Sequence, residues 1–192
     1  MNATAGSYLG NPAEDPNASL RDVFAKEENH PDAVACILKY CENESGFHKG
    51  SRDWAKFAEL LGSFKGVLDP VSTKPFITLG PKDYAMAHIN DFFSDLPDKS
   101  RLEKFAASLP PGTFDYSLVH FCIQQQGYDI SLYIAGVLAA GNDQTTYGVA
   151  VLSKWELNCN EMIARADELV VKTKLKEQLD NWLDGITSSG YE

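Results

Sequence analysis

The most regular pattern in this sequence lies in its last third. Apolar residues recur there at alternating steps of three and four, and neither glycine nor proline occurs between Val149 and Asp184. The members of this heptad run are Leu152, Trp155, Cys159, Met162, Ala166 and Leu169. Such spacing is typical of a helix with one apolar face. It predicts a long C-terminal helix, or a pair of helices, over residues 144–187, with Trp155 and Trp182 buried in the core.

Shorter apolar patterns with helical spacing occupy most of the preceding chain, separated by proline and glycine. Helices are predicted to begin near Ser19, Pro31, Ser51, Pro81 and Ser100. Ser100 and Glu103 have the spacing of a capping box. Two more helices are predicted at 115–126 and 129–140, although residues 128–140 would also fit a buried strand. Residues 69–80 are predicted to be extended but to form a loop, since no partner strand is evident.

These patterns predict an all-α fold, an irregular or orthogonal bundle of about seven to nine helices. A chain of 192 residues suits one domain. We expect a single helical domain over residues 17–187. The small, polar residues 1–16 predict a flexible N-terminal tail, and residues 188–192 a short C-terminal tail.

The charge balance limits the partners that the chain can bind. With 27 acidic and 17 basic side chains, the net charge is −10. Such a charge repels a phosphate backbone, so nucleic acid is excluded, and it favours a basic protein partner. No apolar run reaches the ~20 residues that cross a bilayer, which predicts no membrane association. The first 16 residues lack the basic and apolar stretches of a signal peptide, so we expect a cytoplasmic protein.

Four histidines and four cysteines are the residues best suited to carry chemistry. On a helix, His88 and Asp91 would share one face, and His120 from another helix would complete a two-histidine, one-carboxylate metal site. The alternative interpretation makes both histidines structural, because apolar residues flank them. His120 and Cys122 would point apart on a helix, which argues against a catalytic pair. Glu27 and His30 supply half of a di-iron motif, at a helix start where an exposed loop histidine is expected.

The cysteines Cys36, Cys41, Cys122 and Cys159 lie among apolar residues without a CxxC motif, which predicts free thiols. No nucleophile elbow or phosphate-binding loop occurs, and no cofactor is predicted. No stretch carries the motif of a particular family.

Three functions remain at this point. The first is a non-enzymatic protein-interaction module, such as an adaptor, an inhibitor or an immunity-type protein, with an acidic surface. The second is a helical-bundle enzyme or apolar-ligand carrier with a pocket near His88, Asp91 and His120. The third is a structural subunit that forms a homodimer through residues 152–186. The first is favoured because each catalytic motif is incomplete, so the chain is expected not to be an enzyme.

Overall fold

The computed structural model describes residues 20–46 and 54–178, and it divides the chain into two compact units. One unit, the helical unit, comprises the described residues up to Asp69 and from Leu157 onward. The other, the sheet unit, is Pro70–Glu156. The predicted tails at residues 1–16 and 188–192 lie outside the described residues, and so does Trp182.

The described elements include both helices and strands, in runs of one to four. In chain order they are α1 (Asp22–Ala25), a 3₁₀ turn (Glu27–Asn29), α2 (His30–Ser45), α3 (Trp54–Gly62), β1 (Leu68–Gly80), α4 (Lys82–Phe92), α5 (Ser100–Ser108), β2 (Phe114–Gln126), β3 (Asp129–Gly141), β4 (Thr146–Leu157), α6 (Cys159–Ala164) and α7 (Ala166–Lys172). The helices predicted after Pro31, Ser51, Pro81 and Ser100 are therefore confirmed as α2, α3, α4 and α5.

The helical unit packs its short helices around an apolar core. The largest fully buried side chains include Phe24, Ile37, Phe64, Met162 and Leu169, which come from both ends of the described chain. Pro31 lies in the first turn of α2, where its missing N–H is not needed, and Gly46 ends this helix at φ 74°. The side chain of Asn158 caps α6 by accepting a hydrogen bond from the Glu161 N–H.

The sheet unit is built on a four-stranded antiparallel sheet with the strand order β1-β4-β3-β2. β2 and β3 form a hairpin closed by Gly127 and Tyr128, since Gln126 pairs with Asp129. Gly127 has a φ of 63°, the left-handed conformation that such a two-residue turn requires. β3 pairs in turn with β4, with Val137 opposite Ala150.

Helices α4 and α5 cover one face of this sheet, which we call the helix-covered face. Ile89 and Phe93, in and just after α4, join Leu102 and Phe105 of α5 in one buried cluster. The strand residues of that cluster are Phe114, Ala135, Val137, Ala139, Ala150 and Leu152. Gly148 allows the close approach of α4, because a Cβ at this position would lie 2.7 Å from Ile89 Cδ1.

The all-α prediction is wrong. Of the described residues, 34% are in strands and 45% in helices, so the protein is a mixed α and β protein and not an irregular or orthogonal helix bundle. Residues 115–126 and 129–140, predicted as helices, are the strands β2 and β3. The sequence of β3 was predicted to be a helix because both faces of the strand carry buried apolar residues. Ile130, Leu132 and Ile134 are buried on one face, and Val137 and Ala139 on the other. A strand buried on both faces lacks the alternation that identifies it.

The predicted long C-terminal helix is also wrong where the structure describes it. Its first part is the strand β4, and two short helices meeting at Arg165 follow. Leu152 and Trp155 are three residues apart on a strand, so their side chains point to opposite faces. The heptad spacing therefore runs by coincidence across a strand and two helices. The homodimer predicted through residues 152–186 required a continuous helix, and the described part of this range does not form one.

Candidate interaction surface

The residues predicted to form a site lie on two different elements. His88 and Asp91 are both exposed on α4, and the His88 ring packs against Tyr84 at a centroid distance of 4.3 Å. His120 is buried on β2. Within residues 20–46 and 54–178, no three His, Cys, Asp or Glu side chains are grouped so that they could hold a metal ion. The structure therefore does not gather these three residues into the predicted site.

His120 is enclosed by the turn that precedes α5. It is only 6% exposed, and its Nε2 lies 3.1 Å from the backbone oxygen of Asp98. Nε2 is therefore the protonated nitrogen, and Nδ1 is buried with no hydrogen-bond donor among the described residues. Burial lowers the pKa of His120, and this outweighs the hydrogen bond to Asp98 that favours the charged form. The side chain is thus a neutral structural histidine.

Cys122 lies beside His120, contrary to the helical prediction. Residues two apart on a strand project from the same face, so both side chains lie on the helix-covered face of β2. Burial raises the pKa of the Cys122 thiol, although a hydrogen bond from the Asp98 backbone opposes the shift. A protonated thiol is a poor nucleophile. The pair is therefore close in space but not activated for catalysis.

His30 differs from its prediction too. It is fully buried as the first residue of α2, and its Nε2 lies 3.2 Å from the Phe24 backbone oxygen. It is not an exposed loop histidine. None of the four cysteines forms a disulfide, as predicted, and burial raises the pKa of both Cys36 and Cys41 to about 12.

The face of the sheet opposite α4 and α5 carries the more distinctive surface, which we call the open face. Its residues alternate with those of the helix-covered face, and they come from all four strands. Thr73 and Ser153 meet there with their hydroxyl oxygens 3.4 Å apart. On β3 and β4, Leu138 pairs with Val149 and Ala140 with Tyr147. On β1, Thr78 lies near Gly148 of β4. The residues on either side of Thr78, Ile77 and Leu79, therefore lie next to those on either side of Gly148, Tyr147 and Val149.

One end of the open face is exposed although it is apolar. Ile77 and Leu79 are each 63% exposed, Tyr147 is 45% exposed and Leu138 is 37% exposed. At the opposite end of the same face, Ile130, Leu132 and Ile134 are buried. Counted by alternation within Pro70–Glu156, the strands carry one charged residue on this face, Asp115. Contiguous exposed apolar patches are a feature of interaction sites on protein surfaces.

Sequence reasoning missed the open face because it placed three of the four strands on helices. The signal that would have found it is the alternation in β4, where Tyr147, Val149 and Val151 are separated by smaller residues. Residues 69–80 were correctly predicted to be extended. Their partner strand, β4, lies about 70 residues further along the chain.

A groove between α4 and α5 is the second candidate feature of the sheet unit. Its volume is about 460 Å³, and its floor includes Ile89, Phe93, Leu102, Phe105 and Val137. None of His88, Asp91 and His120 lines it. The groove is therefore a different feature from the pocket predicted near those three residues.

No helix in the described ranges combines the length and the apolar character needed to cross a lipid bilayer. Comparison of the chain with protein-family models, with curated proteins and with solved structures found no match.

Proposed function

We propose that the chain is a non-enzymatic protein-interaction module, and that the open face binds a protein partner. The exposure of Ile77, Leu79, Leu138 and Tyr147 at one end of the sheet carries the proposal. Burying an aliphatic side chain of this size contributes about 1.5–3 kcal/mol, so these residues supply a useful part of the free energy of binding. The partner must offer an apolar surface in return, because the open face has almost no charge with which to bind a polar one.

Charge complementarity supports a basic partner rather than a second copy of the chain. The net charge of −10 makes two copies repel each other, whereas a basic protein is attracted. The charge is shared unevenly: the sheet unit has nine acidic and six basic side chains, a net charge of −3, and the rest of the chain has −7. The open face thus provides contact area, and the acidic net charge of the chain favours the encounter with a basic protein.

Binding is favoured over catalysis by the state of the groups that could react. His120 uses Nε2 to hold the Asp98 backbone, and the neighbouring Cys122 thiol is kept protonated by burial. Neither group is placed to activate a substrate. An acidic interaction module is consistent with a cytoplasmic location, which we retain as part of the proposal.

A photo-crosslinking amino acid at position 79 tests this function. In cells that produce the protein, it should capture a partner that the same amino acid at Val171, 68% exposed in the helical unit, does not capture. The purified partner should then bind the chain, and Ile77→Asp with Leu79→Asp should weaken that binding at least about tenfold. Val171→Asp is the matched control and should leave the affinity unchanged. Capture of only a second copy, or an affinity indifferent to the paired substitution, would refute the proposal.

A further inference from the structure

The groove between α4 and α5 lies on the helix-covered face, so it is independent of the open face. Its volume of about 460 Å³ falls within the range of ~300–1,000 Å³ that small-molecule sites occupy. The space arises because alanines (Ala87, Ala106 and Ala107) line the facing sides of the two helices. Larger residues there would close the gap.

The groove combines an apolar floor with polar groups at its margin. Ile89, Phe93, Leu102 and Phe105 are buried, and their side chains belong to the core of the sheet unit. The polar residues of the lining are Lys82, Asp83, Asn90 and Glu103. A ligand that fits must therefore be amphiphilic, with an apolar body on the floor and a polar group at the margin.

The charged residues at the margin of the groove determine whether the polar group of the ligand should be a cation or an anion. Lys82 is already neutralised, because its Nζ lies 2.9 Å from a carboxylate oxygen of Asp143, in the loop between β3 and β4. Asp83 and Glu103 are exposed, and no ion pair joins either of them to another described residue. The margin is thus net negative. We propose that the groove binds an amphiphilic cation, with its alkyl or aryl body on the apolar floor and its cationic group near Asp83 and Glu103.

Two probes of equal chain length and opposite charge test the proposal. Decyltrimethylammonium and decyl sulfate, each below its micelle concentration, are titrated into the full chain by calorimetry. The cation should bind about tenfold more tightly than the anion, the preference that two exposed carboxylates can together produce. Equal affinities, or no binding of the cation, would overturn the proposal.

Variants then locate the binding. Ala106→Phe fills the groove and should weaken cation binding at least about tenfold. Asp83→Asn with Glu103→Gln should remove most of the preference for the cation, while Asp91→Asn, an exposed carboxylate on α4 outside the groove, should preserve it. Circular dichroism confirms that each variant is folded. If Ile77→Ser on the open face abolishes binding and Ala106→Phe does not, the probe occupies the open face and the proposal is wrong.

Discussion

His120 is the residue whose surroundings constrain it most. Its ring is buried on β2, one nitrogen holds the Asp98 backbone oxygen, and the other has no donor among the described residues. Protonating the ring would place an N–H at the buried Nδ1, where no described residue supplies a hydrogen-bond acceptor. The fold therefore favours the neutral ring, in agreement with the lowered pKa.

This environment predicts how stability changes with pH. The pKa of His120 is lowered in the folded state from its usual value of 6.5, so below about pH 6.5 the unfolded chain binds more protons. Its contribution to stability is present above that pH and is lost as the pH falls through the folded-state pKa. Urea unfolding at pH 5 and pH 8 should show a smaller pH dependence for His120→Gln than for the unchanged chain. The control Leu118→Ala, on the same face of β2, should lower stability but keep the pH dependence. If His120→Gln shows the same pH dependence as the unchanged chain, the assignment to His120 is wrong.

Individual residues were predicted unevenly from the sequence. The apolar neighbours of His120 correctly predicted an interior histidine hydrogen-bonded to the backbone. The same reasoning was wrong for His88, which is exposed on α4. The proximity of His120 and Cys122 could not be predicted, because a strand and a helix place residues i and i+2 in different directions.

Elements were predictable where proline or glycine marked their ends and one face was apolar. The helices α2 to α5 satisfy both conditions, and the sequence located them. The strands β2 and β3 do not, because their apolar residues also fit helical spacing. In addition, the first half of β3 is buried on one face and its second half on the other. The turn at Gly127 and Tyr128 was the available signal, since a two-residue connection joins strands far more readily than helices. The capping box predicted for α5 is replaced by Asp98, whose carboxylate accepts a hydrogen bond from the Ser100 N–H at 2.9 Å.

The contact between α4 and β4 is a test of how these elements pack. A Cβ on Gly148 would lie 2.7 Å from Ile89 Cδ1, inside a buried cluster. Gly148→Ala should therefore destabilise the fold by about 1–3 kcal/mol, as overpacking does. Ile89→Val removes the Cδ1 atom and should reduce that cost in the double variant, measured by urea unfolding. Gly62→Ala is the control, because nothing lies within 4 Å of the added Cβ. The packing is contradicted if Gly148→Ala lowers the free energy of unfolding as much in the Ile89→Val background as in the unchanged chain.

At the scale of the whole molecule, chain order and spatial organisation differ. The helical unit is formed by two separate stretches, because the sheet unit, Pro70–Glu156, lies between them in the sequence. Residues that build one core, such as Phe64 and Leu169, are thus about 100 positions apart. Local periodicity carries no information on pairing over such distances. The total charge, by contrast, is read directly from composition, and it still favours a basic partner.

The central claim is that the open face of the sheet is the surface that a partner covers. Hydroxyl-radical footprinting tests it directly, by comparing the purified chain with the protein inside the cells that produce it. In the purified chain Ile77, Leu79 and Tyr147 should be oxidised readily, and in cells their oxidation should fall relative to Val171 and Ile163 of the helical unit. That result would show a partner on the open face. Equal oxidation of all five side chains in cells and in the purified chain, or protection confined to Val171 and Ile163, would contradict the claim.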